Sequence, residues 1–145
     1  MKIKLQSMLF LFGATFISFM GCKKQHEPTD STITETFTSK TPTKDGATYY
    51  GTFTATGGLT TSGTSLMDVQ LTADSSFCHD VLTTLTGTFT MVLNCSRTNM
   101  TGHWKIVNGT GEYSALHGNG PLTMMFPPNV PDGVLIIETI TGKIL

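Results

Sequence analysis

Thr88-Phe89-Thr90-Met91-Val92-Leu93-Asn94-Cys95 alternates side chains that favour burial with side chains that tolerate water. Phe89, Met91, Leu93 and Cys95 fall on one side, and Thr88, Thr90, Val92 and Asn94 on the other. A period of two is the mark of a half-buried β-strand. The same texture recurs on both sides of this stretch, giving candidate strands at residues 49–56, 65–72, 77–85, 88–95, 103–108, 121–126 and 134–143. Gly, Asn and Asp punctuate these runs, and no run of ten or more residues has helical apolar spacing. Seven or eight closely spaced strands imply an all-β sandwich or closed barrel. Closure would remove the exposed edges that so much strand sequence creates.

Alternation also assigns faces. Met67, Val69 and Leu71 should point inward, with Asp68 and Gln70 outward; Trp104 and Ile106 belong inside, with His103 and Lys105 outside. If Thr86-Gly87 is a two-residue hairpin turn, Leu85 faces Thr88 and Cys78 faces Cys95 as a close non-hydrogen-bonded pair. That geometry lies within reach of a disulfide. Such a bond would contribute roughly 3 kcal/mol. His79 points to the opposite face, so these thiols lack the further ligands a zinc site needs. No metal is expected.

Upstream, Lys2 and Lys4 precede an apolar run from Met8 to Met20 and then Gly21-Cys22. A basic start, a 13-residue apolar core and a small residue before a cysteine make a bacterial lipoprotein signal. The run is too short for a membrane span of about 20 residues. Residues 1–21 then form a signal peptide, and acyl chains such as palmitate on Cys22 anchor the protein in the cell envelope, at the inner or outer membrane. From Cys22 onward, seven Lys/Arg face ten Asp/Glu. Without a basic patch, nucleic acid is excluded as a partner. Residues 22–46 are dominated by Thr, Ser, Pro, Lys and Glu, with only Ile33 and Phe37 as large apolar residues. That composition predicts a disordered tether, with the β-domain at residues 47–145.

Downstream runs Gly102-His103-Trp104-Lys105-Ile106-Val107-Asn108-Gly109-Thr110-Gly111-Glu112-Tyr113-Ser114-Ala115-Leu116-His117-Gly118-Asn119-Gly120. Its Gly-x-Gly lacks the following helix and βαβ setting of a phosphate loop, so no nucleotide cofactor is expected. The pattern G-x-W-x-I-x-x-G-T-G-x-Y-x-x-L-x-G-x-G, with Gly87-Thr88-Phe89-Thr90 before it and Thr141-Gly142-Lys143 after, resembles the allene oxide cyclase barrel-like superfamily, which includes the dirigent proteins. The resemblance covers residues 48–145. It implies an antiparallel eight-stranded closed barrel whose hydrophobic lumen binds or steers small apolar molecules. No catalytic residue of the superfamily transfers to a matching position. Physics alone assigns this motif to scaffold, with Trp104, Tyr113 and Leu116 plugging the barrel and its glycines serving tight corners.

Two carboxylates sit on faces that otherwise read as apolar. Glu138 alternates with Val134, Ile136 and Ile140, and Asp80 shares a side with Cys78 and Leu82. Inside a barrel either would hold its proton unusually tightly and serve as an acid or base. His26, His103 and His117 read as solvated, and the Asn-x-Ser/Thr triplets at Asn94, Asn99 and Asn108 carry little meaning in a bacterial protein. The function expected is a lipid-anchored, non-enzymatic barrel that binds a small apolar ligand, with Met91, Met124 and Met125 as an adaptable lining, or a protein partner. The alternatives are an isomerase or cyclase acting on an oxidised lipid-like substrate through Glu138 or Asp80, and a structural protein with a filled lumen. The state of the lumen separates them.

Overall fold

The computed structural model describes residues 27–123 and 132–145. The signal segment, Cys22, His26, Met124 and Met125 lie outside the described residues. Eight antiparallel strands close into a barrel in simple chain order: β1 (Thr29–Thr43), β2 (Gly46–Gly57), β3 (Thr61–Leu71), β4 (Ser75–Thr83), β5 (Thr88–Ser96), β6 (Thr101–Gly109), β7 (Gly118–Thr123) and β8 (Ile136–Ile144). Strand β8 completes the ring by pairing with β1, from Thr29 opposite Ile144 to Phe37 opposite Ile136. Among the described residues a single 3-10 turn, Gly111–Tyr113, interrupts the all-β chain.

Seven of these strands overlap the alternating runs read from the sequence, although residues 124–126 of the run at 121–126 lie outside the described residues. The eighth corrects the reading, because β1 occupies most of the stretch assigned to a disordered tether. Its residues Ser31, Ile33, Glu35 and Phe37 alternate inward and are buried, while Thr32, Thr34 and Thr36 take the outer side. Thr is a good strand former, and Ile33 and Phe37 are spaced to share a face. The polar composition of the stretch concealed this pattern, because the residue between them on that face is a carboxylate. The folded domain therefore starts at Thr29 rather than at residue 47.

The interior holds Phe37, Phe53, Met67, Leu82, Phe89, Met91, Leu93, Trp104, Ile106, Leu122 and Ile140, all buried. The inward sides assigned to β5 and β6 are those observed. In β3, Met67 is buried, Val69 half-buried and Leu71 exposed, because the strand runs out of the core at its end. Many of the outward positions are Thr, as at Thr52, Thr54 and Thr56. A barrel spanning lipid would alternate in the opposite sense, apolar outward.

The hairpin between β4 and β5 corrects the cysteine pairing. Its last strand pair is Thr83 with Thr88, so the loop holds four residues, not two, and Thr84 donates its backbone N–H to Gly87 O at 2.9 Å. Every partner shifts by two positions. Cys78 faces Leu93 and Cys95 faces Ser76, and both cysteines are free and buried. A shift of two preserves the face, which is why the burial reading survives and the disulfide does not. Diagonal neighbours stand about 7–8 Å apart, beyond disulfide reach.

Two strand irregularities bend the sheet, where Thr38 of β1 and Val107 of β6 each add an unpaired residue. Bulges of this kind sharpen local twist and help a sheet close. One end of the barrel is sealed by Leu59 and Tyr113. Phe89 packs against Phe53 with ring centroids 5.7 Å apart, and against Tyr113 at 5.3 Å. The Tyr113 hydroxyl is hydrogen-bonded to Thr61 Oγ1 at 2.9 Å.

Candidate functional site

The motif around Trp104 resolves into scaffold. Trp104 donates its indole N–H to the Thr141 carbonyl at 2.8 Å, so the ring lies along the inner wall across β7, over Gly120, to reach β8. A Cβ on Gly142 would stand 2.4 Å from the indole, and one on Gly120 would stand 2.9 Å from its nitrogen. Only glycine leaves room for the ring at these positions. Gly111 opens the 3-10 turn with φ +59°, a conformation that favours glycine.

The residues that resist a scaffold explanation are acidic. Asp80 of β4 and Glu138 of β8 both point inward, at 0 % and 1 % exposure, and they are joined by Glu35 of β1, also fully buried. Glu35 and Glu138 are directly opposed across the β1–β8 pairing that closes the barrel. Ser65 of β3 links the other two, its Oγ lying 2.6 Å from Glu35 Oε2 and 2.8 Å from Asp80 Oδ1. A hydroxyl has one proton to donate, so with both carboxyls in reach of Ser65 Oγ one of them must donate to it. At least one of the pair is therefore a neutral acid.

Electrostatics gives the same answer. Burial, with the charge of Asp80 adding to it, pushes Glu138 up to about 7. Burial also raises Glu35 to about 7, assisted by the Glu138 charge and opposed by the hydrogen bonds from Asp80 and Ser65. Asp80 is held well above the usual carboxylate range by burial and by the Glu35 charge. Every described Lys, Arg and His side chain is exposed, so no cation among them compensates these groups from within the lumen. Four buried oxygens have no hydrogen-bond partner among the described residues: Glu35 Oε1, Asp80 Oδ2 and both carboxylate oxygens of Glu138.

Glu138 also reaches the floor of a half-enclosed cavity of about 320 Å³ at the end of the barrel opposite Tyr113. Tyr49, Met67, Val69 and Ile136 form its apolar walls, and Leu71, Arg97 and Met100 its rim. Among the described residues the lumen is thus packed along much of its length and open at one mouth. A wider trough of about 620 Å³ runs over the outer faces of β3 to β6, with Phe77 and Val92 between His79, His103, Asp68 and Lys105. Its polar side chains are all exposed, as expected of solvated surface groups. Among the described residues no cluster of His, Cys, Asp or Glu could hold a metal ion.

Asp80 and Glu138, singled out from the sequence, are thus brought into one cluster. Cys78 and Cys95 lie inside but make no bond, and burial drives the Cys78 thiol far above its ordinary range, so it is a poor nucleophile. The sequence reading missed Glu35, Ser65 and the mouth residues Tyr49 and Arg97. The signal for Glu35 was its place midway between Ile33 and Phe37. No family model, curated protein or solved structure matches the chain.

Proposed function

We propose that this chain is a lipid-anchored cell-envelope protein whose barrel binds a small, largely apolar molecule at its open mouth, without turning it over. One observation carries the reading: a cavity of about 320 Å³, largely apolar on its walls, whose floor holds a buried carboxyl with no partner among the described residues. Ligand sites are mostly apolar concavities with a few placed polar groups that fix orientation. The Gly21-Cys22 signal supports anchoring, and the Trp104-to-Gly120 motif supports placement in the allene oxide cyclase barrel-like superfamily. The filled-lumen alternative is weakened by the open mouth.

One observation favours a second reading, an isomerase or cyclase acting on an oxidised lipid-like substrate. Burial pushes Glu138, at the cavity floor, up to about 7, so near neutral pH it can give or take a proton there, with Glu35 behind it raised likewise.

Two measurements test the proposal. N-phenyl-1-naphthylamine, an apolar dye that fluoresces when sheltered from water, should brighten with the wild-type protein and not with Met67→Trp, which fills the cavity. Equal brightening with both would move binding away from the mouth. Cys22→Ser should incorporate no labelled fatty acid, and normal acylation of that variant would remove the anchor from the proposal.

A further inference from the structure

Two buried polar residues interrupt the apolar lining of the mouth cavity. The Ser76 hydroxyl leans on the Cys95 carbonyl at 3.5 Å, while Glu138 at the floor keeps both oxygens shielded from solvent, with nothing among the described residues bonded to them. Behind Glu138 stand Glu35, opposite it across the β1–β8 pairing, and Asp80, linked to Glu35 through Ser65. The groups that face Glu138 are therefore carboxyls from β1 and β4 together with the buried thiols of Cys78 and Cys95. Arg97 stands at the rim, but its Nη1 already donates to the Thr72 carbonyl at 2.6 Å, holding the β3–β4 turn rather than reaching inward.

Ligand charge follows from this arrangement. An anionic head group would meet three carboxyls and, among the described residues, no buried cation, and a neutral hydroxyl would satisfy one acceptor while offsetting no charge. An ammonium group brings three N–H donors and a positive charge to the two free oxygens. We propose that the mouth selects an apolar molecule carrying a compact protonated amine, which enters amine-first and rests against Glu138. This rests on the mouth being a ligand site, and it names the chemistry of the ligand.

The test compares octylamine, octanol and nonanoate, three probes with the same eight-carbon tail, on the purified protein with carbon-13-labelled methionine methyl groups. Met67 lies in the wall and Met100 on the rim, so their methyl signals report occupancy of this cavity directly. At pH 8, with Glu138 ionised, octylamine should bind at least about tenfold more tightly than octanol, a factor that one charge-assisted hydrogen bond can supply. Nonanoate should be weakest. At pH 5.5 the carboxyl holds its proton, so the preference for amine over alcohol should shrink, and in Glu138→Gln it should vanish at both pH values. Octanol binding as tightly as octylamine to the wild type at pH 8 would overturn the amine selectivity and leave the mouth as a ligand site. Nonanoate binding best would overturn it and shift recognition to Arg97. If none of the probes moves the Met67 or Met100 signals, the ligand-site reading fails and takes the amine selectivity with it.

Discussion

The packed part of the lumen and its mouth are built from the same strands, with the same inward alternation, and they treat polar groups in opposite ways. Around Trp104 and Tyr113 each buried polar atom has a partner: the indole N–H has the Thr141 carbonyl, and the phenol has Thr61. Around Glu138 four carboxyl oxygens have none among the described residues. An unsatisfied buried polar group costs about 1–3 kcal/mol, and more when it is charged. The difference teaches that the packed part holds the barrel together, while the mouth is maintained at the barrel's expense. Uncompensated carboxyls in a cavity are how binding and catalytic sites are commonly made.

The largest effect that would test this contrast lies in the packed part. Trp104→Ala should lose about 3 to 5 kcal/mol in urea unfolding, because the ring is buried and the residues it packs over, Gly120 and Gly142, have no side chains to fill the space. A loss below about 1 kcal/mol would show that the ring is not structural.

Next comes the mouth, where removing a charge should help. Glu138 is raised from 4.5 to about 7 in the folded protein, so folding takes up a proton between these values. Stability is then full below about pH 4.5 and falls as pH rises through about 7, by roughly 3 kcal/mol for this residue. Glu138→Gln should abolish that loss, stabilising the protein by up to about 3 kcal/mol at pH 8 and hardly at all at pH 4.5. Destabilisation at pH 8 would mean that the carboxylate has a partner in solution.

Ser65→Ala sharpens the comparison by a smaller amount. Loss of the bridging hydroxyl removes hydrogen bonds to Glu35 and Asp80, and should cost about 1–3 kcal/mol. The midpoint of the pH-dependent unfolding transition should also move upward, since a hydrogen bond that lowers Glu35 is lost. An unchanged midpoint would separate Ser65 from the acid pair. The smallest effect concerns the cysteines: reductant should leave the melting temperature unchanged, and both thiols should react with a maleimide only after unfolding. A drop of several degrees on reduction would restore the Cys78–Cys95 bond.

How far the sequence could be read depended on what each inference needed. Strand positions and faces need only a period of two, and Phe89, Met91, Leu93, Trp104 and Ile106 lie where that period puts them. Asp80 and Glu138 were legible as candidates for the same reason. The Cys78–Cys95 pairing needed a loop length as well, and four residues instead of two moved each partner while leaving each face intact. Glu35 was hidden because its stretch reads as polar throughout, with Thr, Lys and Pro outnumbering Ile33 and Phe37. Nor could the site be assembled from local pattern, since Glu35 and Glu138 are 103 positions apart and meet only when β8 closes on β1.

That closure also gives the barrel a polarity. Thr29, where β1 begins, pairs with Ile144, and Leu145 exchanges backbone hydrogen bonds with His117, so both ends of the folded chain emerge beside the Tyr113 plug. Only residues 22–28 separate Cys22 from β1, a span of at most about 25 Å when fully extended. With Cys22 acylated as proposed, the bilayer lies on the plugged side and the carboxyl-floored mouth opens away from it. A ligand would then arrive from the aqueous compartment, and the anchor could not obstruct its path.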